Sequence, residues 1–326
     1  MIIPPLLILS IIVFFSVRFI PGDAIDVMVA MMALDMFGTG VEIDREALER
    51  MLGLDVPGYV QYGRWIGVLP TPDWLTGESH FKGLLQGSLG TSLFGRFPVE
   101  EKLIGRLPVS MGLGVLSIVI GLVIALPVGI YSAIRQDTAA DYVGRTAAII
   151  GMATPNFWLA LMVMIFPAIW WGWSPPMEWV PFTEDPLGNL GILIIPSLIL
   201  GTAMAAATMR LTRTMMLEVL RQDYIRTAWS KGLRERIVVI RHAIKNSLIP
   251  VVTLIGMQLP LLIGGSVIME NIFTLPGIGD LLLNALKLRD YPVVSGVNMF
   301  YASLVMVIIL LTDLIYPYLD PRVRYS

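Results

Sequence analysis

Six apolar blocks, separated by polar segments of very unequal length, set the layout of this chain. They run over Ile2–Ile20, Leu107–Ile134, Thr146–Trp173, Pro186–Met209, Asn246–Met269 and Tyr291–Thr312. About 20 apolar residues are needed to cross the hydrocarbon of a bilayer. Each block therefore predicts a transmembrane helix, and six spans place both termini on one side. Arg18 closes the first block and is expected to snorkel to the far interface. Trp170, Trp171 and Trp173 close the third, where an aromatic cluster sits at the headgroup level. No internal repeat is evident.

The polar segments differ in charge. Residues 21–106 hold 12 Asp/Glu against 7 Lys/Arg. They are rich in turn signals: Pro21-Gly22-Asp23, Gly38-Thr39-Gly40, Pro57-Gly58 and Pro70-Thr71-Pro72. Asp44–Leu54 predicts a helix capped by Asp44, and Trp65, Trp74 and Phe81 suggest a small folded cap near the membrane, with a plain loop as the alternative. The segment Asp223–Pro250 is densely charged, with eight Lys/Arg when Arg213 and Arg221 just ahead are included. Arg135–Arg145, Arg210–Lys245 and the tail from Arg322 to Arg324 together carry 13 basic residues, whereas the opposite short loops carry only Lys287 and Arg289. The positive-inside rule then puts both termini and Asp223–Pro250 in the cytoplasm and 21–106 outside. The first block has no basic leader or small-residue cleavage site, so it predicts an uncleaved helix. Its missing basic flank leaves room for a longer native N-terminus. The expected division is a first helix (1–20), an extracytoplasmic cap (21–106) and a core transmembrane region (107–326).

Composition narrows the function. The chain is 56% hydrophobic and 15% charged, against about 25% charge in soluble domains. Net charge is −2, which suggests no nucleic-acid partner. There is no Cys, and His80 and His242 lie far apart, so neither a metal nor another cofactor is expected. No phosphate loop or nucleophile–base set is present. Proton- or ion-driven carriers bury ionisable groups at mid-depth. Here none lies at mid-depth: Arg18 is close to the outer end of the first span and Asp313 close to the inner end of the sixth, and a structural role is expected for each. A stand-alone channel and a secondary carrier are thereby disfavoured; a passive anchor would need neither the bend at Gly232 nor so many small residues in the spans. The protein is expected not to be an enzyme itself, and energy for uphill transport must come from another chain. Gly112, Gly114, Gly121 and Gly129, Gly201 with Ala203, Ala205, Ala206 and Ala207, and Gly256, Gly264 and Gly265 supply small-residue faces. Ordinary bundle packing accounts for them; sliding during a conformational cycle is the sharper alternative.

Within the charged loop, Leu233, Ile237, Ile240 and Ile244 recur at helical spacing. Gly232 interrupts the pattern, and Tyr224, Ile225, Ala228 and Trp229 form a second apolar set ahead of it. This predicts two short amphipathic helices joined at a glycine bend. A ridge that docks on a partner and a solvated basic loop both remain open on spacing alone.

Ala228–Gly232 resembles the A-x-x-x-G of the EAA loop in membrane subunits of binding-protein-dependent ABC importers. The fuller string is similar to the B-type subunits of the dipeptide/oligopeptide branch: Tyr224-Ile225-Arg226-Thr227-Ala228, Lys231-Gly232-Leu233, Arg241-His242-Ala243, and Asn246 with Pro250. Other pieces match in order. These are Arg18 with Pro21-Gly22-Asp23; Leu89-Gly90 with Ser92, Pro98-Val99 and Arg106-Leu107-Pro108; Pro155 with Phe157-Trp158-Leu159; Glu270 with Phe273, Pro276-Gly277 and Gly279; Arg289-Asp290-Tyr291-Pro292; and Asp313 with Asp320-Pro321-Arg322. Arg226 stands where the loop's name has Glu, and the Ile-x-Leu-Pro ending is not at its usual distance. The resemblance spans nearly the whole chain. It implies an all-α membrane protein with the type I ABC importer fold, six transmembrane helices and an extracytoplasmic insertion between helices 1 and 2. It further implies a permease of the prokaryotic inner membrane for peptides, with nickel chelates, oligosaccharides or other small solutes as alternatives. Implied partners are a second homologous permease, two cytoplasmic ATPases, an extracytoplasmic binding protein and membrane lipid. The loop at about 217–247 would couple to an ATPase through Tyr224, Arg226, Thr227, Ala228, Lys231, Gly232 and Leu233. Glu270 and Asn271 are expected at an outer gate.

Overall fold

Uncharged blocks this long satisfy their backbone in helices, the only open-chain structure that leaves no orphan polar group in lipid. The computed structural model describes residues 3–19, 22–35, 44–72 and 79–319. Its helices are α1 (Ile3–Ser16, followed by a 3-10 turn Val17–Phe19), α2 (Ala24–Asp35), α3 (Arg45–Leu52), α4 (Gly58–Ile66), α5 (Val99–Ile134), α6 (Ala139–Ala153), α7 (Asn156–Trp171), α8 (Pro186–Leu220) and α9 (Asp223–Ser230). The remainder are α10 (Glu235–Ile237), a π-helical stretch (Val238–Ala243), α11 (Ile244–Ile272), α12 (Ile278–Leu288) and α13 (Tyr291–Leu319). One two-residue hairpin, β1 (Thr71–Pro72) against β2 (Ser79–His80), lies between α4 and α5. Among the described residues four helices are long and apolar enough to cross a membrane, and up to six spans result if two bent helix pairs each count as one.

The chain divides into two units: residues 1–108 with 277–306, and residues 109–276 with 307–326. In the first, Val99 and Leu103 of α5 pack with Val17, Ile278 and Leu281 of α12, and Val293, Val294 and Val297 of α13. Asp290 caps the start of α13 and accepts hydrogen bonds from the Ser92 hydroxyl (2.6 Å) and the Leu93 amide (3.1 Å). Burial pushes its carboxyl above the ordinary carboxylate value, against these bonds. Arg106 pairs with Asp280 at 2.6 Å. The predicted helix after Asp44 is present as α3, with the Asp44 carboxylate accepting from the Glu46 and Ala47 amides and Gly53 closing it in the left-handed conformation. Trp65 packs at 5.4 Å from the Phe14 ring, and Phe81 is exposed. Trp74 lies outside the described residues.

In the second unit α8 is the central element. Its 35 residues span about 52 Å, well beyond the roughly 30 Å of hydrocarbon. Met204, Leu200 and Leu193 join Val109 and Leu113 of α5, Ala160 of α7 and Met269 of α11 in one core. The expected small-residue faces serve close approach. A Cβ at Gly201 would lie 2.7 Å from the Ser117 carbonyl of α5, and one at Gly121 would lie 3.0 Å from the Gly201 carbonyl. Gly256 abuts the Thr312 side chain instead of backbone, whereas a Cβ at Gly114 would meet nothing within 4 Å. The side-chain surroundings of Gly264 and Gly265 lie outside what is described.

Two expectations on helix continuity are corrected. Thr146–Trp173 is not one straight span: α6 and α7 meet at 93°. Pro155 has no amide to donate and disfavours helical backbone at Thr154, which is extended (φ −88°, ψ 120°). The fifth helix starts much earlier than Asn246, running without a break from Glu235 to Ile272 through the π-helical stretch.

Since the space at Gly201 is closed by backbone, Gly201→Leu is expected to destabilise the helix bundle by about 1–3 kcal/mol. The measurement is thermal unfolding in detergent, where Gly114→Leu should leave the transition unmoved.

Candidate functional site

The loop between α8 and α11 is built around a buried keel. Ile225 and Ala228 of α9, three residues apart, are fully and almost fully buried. They pack on Ala133 of α5, Met216 of α8, and Val238, Val239 and Ala243. Leu233 seals the edge of this cluster. Three-residue spacing leaves the other side of α9 free, and Tyr224, Arg226, Thr227, Trp229 and Lys231 are exposed. The Asn246 amide donates to the Tyr224 hydroxyl (2.9 Å) and to the His242 carbonyl (3.3 Å). A hollow of about 350 Å³ lies beside α9, lined by Tyr224, Thr227, Ala228, Lys231, Leu233 and His242.

Gly232 ends α9 by a specific geometry. Its φ is +76°, in the left-handed region that disfavours side chains. The Gly232 amide donates to Trp229 O (2.9 Å) and the Leu233 amide to Ala228 O (3.4 Å). That pair of bonds, together with the Leu233–Ala228 apolar contact, is a Schellman stop. A Cβ at Gly232 would meet nothing within 4 Å. The glycine is needed for backbone conformation, not for space.

Only the two ends of the predicted stripe pack: Leu233 and Ile244 lie partly buried against the cluster. Ile237 and Ile240 are exposed, and the face that packs is Val238, Val239 and Ala243. The π-helical stretch is the reason. Its hydrogen bonds run from i to i+5, so residues 238 and 243 align and an α-periodic stripe is thrown out of phase.

The other expected positions lie elsewhere. Glu270, in the last turn of α11, is fully buried and accepts from the Ser110 hydroxyl at 2.7 Å. Its neighbour Asn271 is exposed, so the two do not share one surface. The Arg18 guanidinium lies 3.7 Å over the Phe14 ring, donates to the Phe14 carbonyl (3.0 Å) and bonds Gln61 of α4. The Asp313 side chain lies outside what is described.

One constellation escaped the sequence reading. Asp141 of α6 is fully buried and forms a bidentate pair with Arg213 of α8, Nε to Oδ1 and Nη2 to Oδ2, both 2.7 Å. The Ser132 hydroxyl and the Asp137 amide (3.0 Å) also donate to it. Counting Arg213 as one more loop cation hid it. The Thr138-x-x-Asp141 pattern, a helix-start signature, marked the position of its partner.

Known proteins agree with this architecture. The profile of the family described as binding-protein-dependent transport system inner membrane component matches residues 125–325. The chain belongs to that family. Among similar proteins, this permease is 39% identical to a putative peptide transport system permease protein of Brucella abortus, over 99% of this chain and 96% of that one. It is 37% identical to the oligopeptide transport system permease protein AppB of Bacillus subtilis, over 99% and 96%. With the dipeptide transport system permease protein DppB of Escherichia coli K12 the identity is 34%, over 100% and 97%. In fold, the permease is like an amino acid ABC transporter crystallised with histidines (TM-score 0.54, 12% identity, 67% of this chain and 94% of that chain). It is also like the inward-facing MetNI methionine ABC transporter (TM-score 0.50, 18% identity, 68% and 97%). The permease is a transport subunit and not an enzyme.

The keel predicts a contrast. Ile225→Ala should cost about 2–5 kcal/mol, the range for truncating a buried aliphatic. Arg226→Ala should leave stability unchanged, since Arg226 is exposed and only loosely paired with Asp223 at 3.6 Å. Thermal unfolding of the two purified variants checks this; equal transitions would show that the keel does not hold α9.

Proposed function

We propose that the permease is one half of the membrane pore of an ATP-driven importer for peptides, and that α9 is its contact with a cytoplasmic ATPase. The carrying observation is the division of α9 into a buried keel, Ile225 and Ala228, and an exposed crown, Tyr224, Arg226, Thr227, Trp229 and Lys231. A helix fixed to its own chain on one side and open on the other is suited to lie in a partner's groove and pass a displacement on to α8. Binding-protein dependence, the property named by the family, supplies the rest. The loop between α8 and α11 and both termini face the cytoplasm, in keeping with the bias of basic residues. The region 21–106 faces outward and receives the substrate-loaded binding protein. A second, homologous permease completes the pore within the lipid bilayer. Closure of two ATPases drives rigid-body motion of helices between inward- and outward-facing states. The peptide class is supported by the names of the relatives in Brucella, Bacillus and Escherichia.

Glu270 and Asn271 stand at the end of α11 away from the α9 loop, and we assign them to an outer gate. Ser110 couples Glu270 to α5, so a change in that bond would accompany helix motion.

Two measurements test the reading. Gly232→Leu places a branched side chain at φ +76°, at a conformational cost of about 1–2 kcal/mol, and is expected to abolish ATP-dependent uptake while membrane insertion persists. Gly232→Asn, which tolerates the left-handed region, should retain part of it. Normal uptake by Gly232→Leu would refute the coupling role. The Glu270→Ala/Asn271→Ala variant is expected to lose uptake; uptake at the parent rate removes the gate.

A further inference from the structure

Helices α6 and α8 meet over small side chains. Ala148 of α6 packs with Ala205, Ala206 and Met209 of α8. A Cβ at Gly144 would approach Met209 Cε to 3.1 Å, and one at Gly151 would approach Ala206 Cβ to 3.3 Å. Such a face permits close approach; apart from Met209, whose methyl lies over Gly144, its buried α6 and α8 side chains are alanines, which interlock weakly along the helix axis. The Asp141–Arg213 pair sits at one end of this face. It is bidentate, and the buried carboxylate is held by two further donors, Ser132 and Asp137 N. A planar guanidinium met in this way fixes direction as well as distance. The residues beside the pair belong to the keel cluster. Ala133 follows Ser132 on α5, and Met216 lies one turn beyond Arg213 on α8, both against Ile225 and Ala228 of α9.

We propose that Asp141 and Arg213 are a positioning pair for transport: they lock the register of α6 on α8, so that α9, the end of α8 and α6 move as one body. The displacement of α9 is then delivered to α6 and onward, through the bend at Pro155, to α7. The pair touches neither substrate nor nucleotide; it acts through the helices it joins. This rests on the assignment of α9 as the ATPase contact, but the register claim can be read without it.

The chain has no Cys, so paired thiols report on this contact without background. Gly151→Cys and Ala206→Cys are introduced together, and disulfide yield is measured on the permease alone. The yield should be high with the ion pair intact. It should fall in Asp141→Asn/Arg213→Met, a variant that leaves no unpaired buried charge and so keeps the fold, with the Asn Oδ1 still able to accept from Asp137 N and its Nδ2 able to donate to the Ser132 hydroxyl oxygen. The assembled transporter is then measured for peptide uptake per ATP hydrolysed. In the parent, the disulfide should leave this ratio unchanged. In the neutral variant the ratio should fall about tenfold, return in the disulfide-linked fraction, and fall again on reduction. A parent-like disulfide yield in the neutral variant overturns the register lock and leaves the α9 assignment standing. A parent-like uptake ratio in that variant, or loss of uptake on forming the disulfide in the parent, overturns the claim that α6 and α8 travel together.

Discussion

Burial of Ile225 and Ala228 is the constraint on which the rest of the loop depends. Two apolar side chains on an eight-residue helix are its main hold on the bundle, because a helix this short is not stable by itself. They enter a pocket made by three separate elements: the end of α5, the end of α8 and the π-helical start of the fifth long helix. Whatever presses on the exposed crown of α9 is therefore felt by all three. Gly232 completes the arrangement by stopping α9 within one turn of Ala228 and seating Leu233 on the same cluster. The helix that follows is thereby aimed back into the bundle.

The long reach of α8 gives this local packing its consequence. A helix of about 52 Å carries at one end the cluster that holds α9 and further along the core shared with α5, α7 and α11. Contacts along it change in kind. Large side chains interlock around Leu193, Leu200 and Met204, small ones line the meeting with α6, and a bidentate ion pair closes that meeting near the α9 end. Glycines at 121 and 201 bring α5 and α8 to backbone contact. Such a contact resists deformation and favours motion of whole helices over local bending.

Much of this was legible in the sequence because membrane solvation leaves a strong signal. The six apolar blocks all correspond to helices, and Asp44 and Gly232 ended or began helices where their chemistry directs. The glycine bend was legible as a bend, and its left-handed backbone conforms. Legibility failed where periodicity was assumed to stay constant. The stripe at Leu233, Ile237, Ile240 and Ile244 presumed an α-helix, and six π-helical residues moved burial to Val238, Val239 and Ala243. Pro155 was used only as a matching residue, although its effect on Thr154 breaks the third span. Asp141 and Arg213 were invisible as a pair because they lie 72 residues apart, and a single acidic residue at a helix start reads equally well as a cap.

The central claim is that the exposed crown of α9 is the surface the ATPase touches. The most direct test is site-directed cross-linking in the assembled transporter, for which the Cys-free chain is well suited. A thiol at Thr227→Cys or Trp229→Cys, on the exposed side, should form an adduct with the ATPase, and one at Ala228→Cys, within the keel, should not. Absence of any ATPase adduct from either crown position, in a complex that still hydrolyses ATP and transports, would contradict the account.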